Sequence, residues 1–160
     1  MRGKLALGLA ASVCALTVLT QPVIAAGTSV SAAYPQSISN AIQDQGYKAE
    51  IETDSYGDPI IRSAAGGVNF ALTFYGCENG KACTDIMFTV AFDKTNGMSM
   101  SSMNSWNAEK ARGRAFLDDE KDPVLQHYII SVDGMSRSTF DENFRLWVAM
   151  MDEFTDYIDW

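Results

Sequence analysis

The stretch VNFALTFYGCENGKACTDIMFTVAF, residues 68 to 92, decides the fold. Two alternating runs flank a polar Asn79-Gly80 tip. Val68, Phe70, Leu72 and Phe74 share one face before it, and Ile86, Phe88, Val90 and Phe92 share one face after it. This period marks strands with one buried face, so the stretch is predicted to be a β-hairpin. A two-residue type I′ turn at Asn79-Gly80 would pair Phe74 with Asp85. Moving the pairing by one residue sets Phe74 against Ile86, Leu72 against Phe88, Phe70 against Val90, Val68 against Phe92 and Cys77 against Cys83. A slip of one residue turns a strand's whole apolar set to the wrong face, so the second register is selected. The tip is then expected to be an odd loop of three or five residues.

Facing positions bring α-carbons to about 4.5 to 5.5 Å, within reach of a disulfide. Zinc would need further ligands, and His127, the single histidine, lies far along the chain. A thioredoxin-type redox pair has two residues between its cysteines at a helix start, whereas five separate Cys77 from Cys83 in a strand context. A disulfide is therefore expected. Closing so small a ring contributes about 2 kcal/mol in the chain-entropy model, so the bridge pins register more than it resists unfolding.

The N-terminus supplies the oxidising compartment that such a bridge requires. Arg2 and Lys4 precede the apolar run from Leu5 to Leu19, and QPVIAAG follows with small residues after Pro22. This is the pattern of a secretory signal peptide over residues 1–25, with cleavage after Ala25 or Ala26. Lipid attachment at Cys14 is a rival, but Val13 stands where such signals carry a small residue. The run is shorter than a spanning helix needs, so the membrane is expected to be met only through the cleaved leader. The rest, residues 26–160, suits one domain in the periplasm or secreted beyond it. Cleavage removes two basic and no acidic residues, taking the formal charge from -8 to -10. A chain this acidic offers no footprint to a phosphate backbone, so nucleic acid is not an expected partner.

Other segments read as elements of both kinds. Residues 34 to 45 suggest a first helix stopped by Gly46. Tyr47, Ala49, Ile51 and Thr53 alternate with Lys48, Glu50 and Glu52 as a strand with one wet face. A DSYGDP turn leads to PIIRSAA, a strand with Pro59 at its first position. Asp54 and Asp58 lack the regular acidic spacing of a calcium loop. MSMSSMNSWNAEKAR, residues 98 to 112, reads as a helix whose methionines and Trp106 fill gaps in a core. AFLDDEKDPVLQHYII reads as two strands about a charged reversal, with His127 as a structural residue in the second. The last helix places Phe140, Phe144, Trp147, Met151, Phe154 and Ile158 on one stripe, with Thr139 and Glu142 as a capping box. That stripe must bury against the sheet. The fold class is therefore α+β: an antiparallel sheet of about five or six strands with helices packed on it. Asp152, Glu153, Asp156 and Asp159 crowd the helix end, where the dipole disfavours anions. Fraying accounts for this, and so does a partner that docks on Tyr157, Ile158 and Trp160.

The order of DSYGDPIIRS, GVNFALTFYGC, NSWNAEKARGRAFLDDEKDPVLQ and DGMSRSTFDENFRLWVAMMDEF resembles the YbjN family, whose members are called sensory-transduction regulators. The likeness runs from about Ile42 to Phe154 and is most specific from Trp106-Asn107 through Arg112, Arg114 and Ala115 to Asp122-Pro123. The resemblance implies a fold similar to type III secretion chaperones, often dimeric, with no established enzymatic activity and no catalytic residues to carry over. A signal peptide and a disulfide depart from those cytoplasmic chaperones, so their client role does not transfer.

Two classes of function follow. One is a non-enzymatic binding or chaperone-like module that holds a peptide or a sister subunit, with no cofactor and no metal. The other is a hydrolase or transferase that uses Asp118, Asp122, Arg112 and Arg114 beside Trp106 and Asn107. The cluster of Asn104, Trp106, Asn107, Arg112 and Arg114 also has a plain reading, as a polar network that seats a helix on the sheet.

Overall fold

The structure, a computed structural model, describes residues 29–160, and the leader read at residues 1–25 lies outside them. The chain runs β1 (Ser29–Val30), α1 (Pro35–Gln43), β2 (Glu50–Thr53), β3 (Pro59–Ala65), β4 (Val68–Tyr75), β5 (Asp85–Ala91), α2 (Met100–Glu109), β6 (Arg114–Leu117), β7 (Pro123–Ile130), β8 (Met135–Ser136) and α3 (Arg137–Tyr157). Six strands form one antiparallel sheet in the order β2-β3-β4-β5-β7-β6, and β1 pairs with β8 apart from it. The fold is α+β, as its alternating and helical patterns require.

The β4–β5 hairpin has the register that its apolar residues select. Phe74 faces Ile86 and Leu72 faces Phe88, and the ladder ends at Ala71 opposite Thr89. The sulfurs of Cys77 and Cys83 stand at bonding distance. The tip, however, is not an odd loop. Asn79 and Gly80 both have positive φ, and Glu78 and Lys81 exchange backbone hydrogen bonds around them at 2.7 and 3.2 Å. A two-residue turn therefore forms at the tip while the strands keep the register shifted by one. One extra residue on the returning arm reconciles the two. Thr84 N–H donates to Tyr75 O although Asp85 is the residue facing Tyr75, and Ala82 takes a φ of 49°. A bulge absorbs the mismatch, and side-chain alternation carries no sign of it.

The buried face of the sheet is continuous across strands. Ile61, Leu72, Phe88 and Leu125 come from four adjacent strands and are fully buried. α3 lies over this face and buries all six members of its predicted stripe. Trp147 stacks on Phe88 with ring centroids 5.4 Å apart, and Phe154 reaches Phe92 at 5.7 Å.

Two local expectations are corrected. α3 is capped by Ser136, whose hydroxyl accepts from Thr139 N, not by Thr139 itself; Glu142 turns to Arg145. An extended Ser136 presents its oxygen to the exposed first-turn amides, whereas Thr139 already has helical backbone. β2 is shorter than its alternation suggests. Tyr47 and Ala49 pack inward ahead of the ladder, with Tyr47 edge-on to Phe144, while all four residues of β2 are exposed at the sheet edge.

Candidate functional site

The cluster read around Trp106 is dispersed in space. Trp106 is a core residue of α2 against Phe154 and Tyr157. Asn107, one position on, faces the start of β6 instead: its Oδ1 accepts from Ala115 N at 2.8 Å and its Nδ2 donates to Ala115 O at 2.9 Å. This clamp satisfies the outward backbone groups of an edge strand. Arg114 lies on the far side of the sheet, with a two-pronged contact to Gln126 Oε1. Arg112 borders a different hollow, lined by His127, Leu146, Met150 and Glu153. Asn104 and Asp118 line a third, with Met98, Met103 and Leu117. Consecutive side chains point to opposite faces of a strand and in different directions around a helix, which is why a compact motif in the sequence is not compact in the molecule.

The carboxylates of the charged reversal are turn-makers. Asp118 Oδ1 accepts from both Glu120 N and Asp122 N at 2.9 Å. Asp122, only 8 % exposed, accepts from Lys94 N at 2.9 Å. Among the described residues no three His, Cys, Asp or Glu side chains gather to hold a metal ion, and no helix is long and apolar enough to cross a membrane.

The C-terminal tail packs on its own chain. Ile158 is 2 % exposed, Trp160 meets the Phe92 ring edge-on at 5.2 Å, and the Tyr157 hydroxyl donates to Ser102 O at 2.8 Å. Lys94 explains how the acidic helix end is tolerated: its Nζ donates to Ile158 O at 2.5 Å and Asp159 O at 2.9 Å, which places a cation where the dipole calls for one. Of the three tail residues proposed to dock a partner, only Tyr157 and Trp160 keep exposed surface.

His127 faces Phe88 on the helix-covered side of the sheet, and its Nε2 is buried without a hydrogen-bond partner. Burial holds its imidazole below the usual histidine range and the Arg112 guanidinium adds to this, while Asn143 works the other way. The folded state thus binds this proton less readily than the unfolded chain, where histidine titrates near 6.5. The stability contributed by neutral His127 is complete above that value and is lost as the pH falls through it toward the folded value. Urea titrations between about pH 7.5 and 5 should show that His127→Gln loses less stability on acidification than the parent. Parallel curves would assign the acid sensitivity to other groups.

The surface not committed to internal packing is the opposite face of the sheet. Tyr75 and Tyr128 pair there with centroids 6.1 Å apart, next to Met87, and Ile130 is 70 % exposed. Among the described residues no helix lies on this side. Its aromatic and aliphatic residues alternate with the buried set, so in the sequence they read as its wet counterpart. A continuous run of such residues on an open sheet is a candidate contact surface.

The profile of the YbjN family, described as "Putative bacterial sensory transduction regulator", matches residues 34–160. The chain belongs to the YbjN family. The match takes in every element from α1 to α3, including the tail beyond Phe154. No curated protein matches the chain. In this YbjN protein the stretch from Trp106 to Pro123 builds a helix, a clamp and a turn around the β6 edge.

Proposed function

We propose that this YbjN protein is a non-enzymatic binding module, exported to the periplasm or secreted, that holds a protein or peptide partner, or a sister subunit, on its open sheet face. The observation that carries this reading is the uncovered aromatic and aliphatic patch of Tyr75, Met87, Tyr128 and Ile130. The family's description as a regulator agrees with a role in contact rather than chemistry. The rival, a hydrolase or transferase near Trp106, Asn107 and the Asp118 to Asp122 turn, is supported by the groove that Asn104 and Asp118 share. Against it, Asp118 and Asp122 are engaged with backbone amides, and Arg112 and Arg114 face other surfaces.

Photo-crosslinking in living cells from positions 75, 128 and 130, followed by mass spectrometry of the mature protein, tests the reading. A repeatable adduct from these positions, absent from probes at Glu50 and Glu52, is expected. A strictly monomeric protein with no adduct at any of the three would overturn it.

A further inference from the structure

We propose that the half-open edge of β7 takes a second copy of this chain, whose own β7 adds antiparallel so that Tyr128 faces the partner's Ile130. The proposal rests on the binding-module reading and names its partner. The two arms of β7 differ in length of pairing: β5 runs along it from Val124 to Ile130, whereas β6 covers only Pro123 to Gln126. Beyond Gln126 the β6 side is bare. Gly113, at a φ of 70°, turns the incoming chain away and leaves an opening beside Gln126 and Tyr128.

The ladder shows which backbone groups face that opening. Ser131 N donates to Thr84 O and Phe92 N donates to Pro123 O, so the odd-numbered residues of β7 turn their hydrogen-bonding groups toward β5. Even-numbered residues turn theirs the other way, alternately along the strand. Arg114 and Phe116 of β6 face Gln126 and Val124, and nothing among the described residues faces Tyr128 or Ile130 on that side. Four backbone groups, the N–H and C=O of each, are left for an added strand.

Asn107 clamps the β6 edge and charges guard the β2 edge, but the bare half of β7 has neither protection. β2 carries Glu50 and Glu52, charges that repel an added strand. The segment from His127 to Ile130 carries no acid, and its outward side chains are Tyr128, 50 % exposed, and Ile130. A second copy suits the gap better than an unrelated peptide for two reasons. The bare segment is bounded by β6 at one end and by the turn after Ser131 at the other, and a two-fold axis through Ile129 superposes these limits. The same axis brings the turn that carries Asp133 beside the start of the partner's β6, where the partner's Arg114 stands, and within the described chain neither charged group has an ion-pair partner. Charge complementarity is thereby repeated twice. Tyr128 against the partner's Ile130 is an aromatic–aliphatic cross-strand pair of the favourable kind. The contact is small, so the dimer is weak and concentration-dependent.

The test uses the exported, oxidised mature chain. Facing residues that exchange backbone hydrogen bonds have α-carbons about 5.5 Å apart, within disulfide reach. Mixing Tyr128→Cys with Ile130→Cys under mild oxidation should give a crosslinked dimer, and either variant alone should give at most a tenth as much. In sedimentation, Ile130→Lys should weaken association at least about tenfold by setting two cations near the axis. Asp133→Arg should weaken it, and Asp133→Arg combined with Arg114→Asp should restore it. Equal crosslinking by each single variant, no crosslink in the mixture, or a monomer at every concentration would overturn the proposal. In the last case an adduct to another protein from position 128 in cells leaves the binding-module reading standing, whereas no adduct removes both.

Discussion

Trp147→Ala is expected to lower the unfolding free energy by about 3 to 5 kcal/mol, the range for removing a large aromatic side chain from a packed core. Trp147 is fully buried, stacks on Phe88 at 5.4 Å and meets Phe70 edge-on at 5.8 Å, so it joins α3 to both strands of the central hairpin. Domains of this size are stable by roughly 5 to 15 kcal/mol, so the loss is a large share of the total. A shift of the urea midpoint with the disulfide intact measures it. Trp147→Phe separates packing from polarity. The indole Nε1 is buried with no acceptor, so phenylalanine forfeits no hydrogen bond and should cost less than about 1.5 kcal/mol. Equal losses for the two variants would show that the packing of an aromatic ring at this position is not what Trp147 contributes.

Asn107→Ala is expected to cost about 2 kcal/mol, because both outward backbone groups of Ala115 then lose their partner. Asn107→Asp distinguishes a two-way clamp from a single hydrogen bond. A carboxylate still accepts from Ala115 N but sets its second oxygen against Ala115 O, so aspartate should stabilise no better than alanine. Amide exchange at Ala115 should quicken in both variants while amides in β4 keep their protection. Parental stability in Asn107→Ala would mean that α2 is seated on β6 by Trp106 alone.

The central hairpin was legible because two apolar sets, each with period two, can face each other in only one register. Its tip was not, because a bulge changes backbone torsions at Ala82 and leaves the side-chain alternation on either side intact. The stripe on α3 read true through to Ile158. The same residue therefore could not also be surface for a partner. Thr139 with Glu142 matches the familiar capping-box spacing, and the choice between Thr139 and Ser136 turns on which residue is still extended. The stretch from Asn104 to Arg114 suggested one site. The molecule distributes it over a core, a clamp, two hollows and the opposite sheet face, because a helix and a strand send neighbouring side chains in different directions.

From its residues alone the chain determined which segments form the three helices and the strands of the six-stranded sheet, which face of β4, β5 and α3 is apolar, the register of β4 on β5 and the approach of Cys77 to Cys83. These are properties of short windows, where periodicity and turn chemistry act locally. Only the tertiary structure decided that β7 slips between β5 and β6, that β6 stops four residues short of the end of β7, and that no described element covers the face bearing Tyr128 and Ile130. Strand order depends on pairings between distant residues, and it is chosen by the packing of the whole sheet beneath α3.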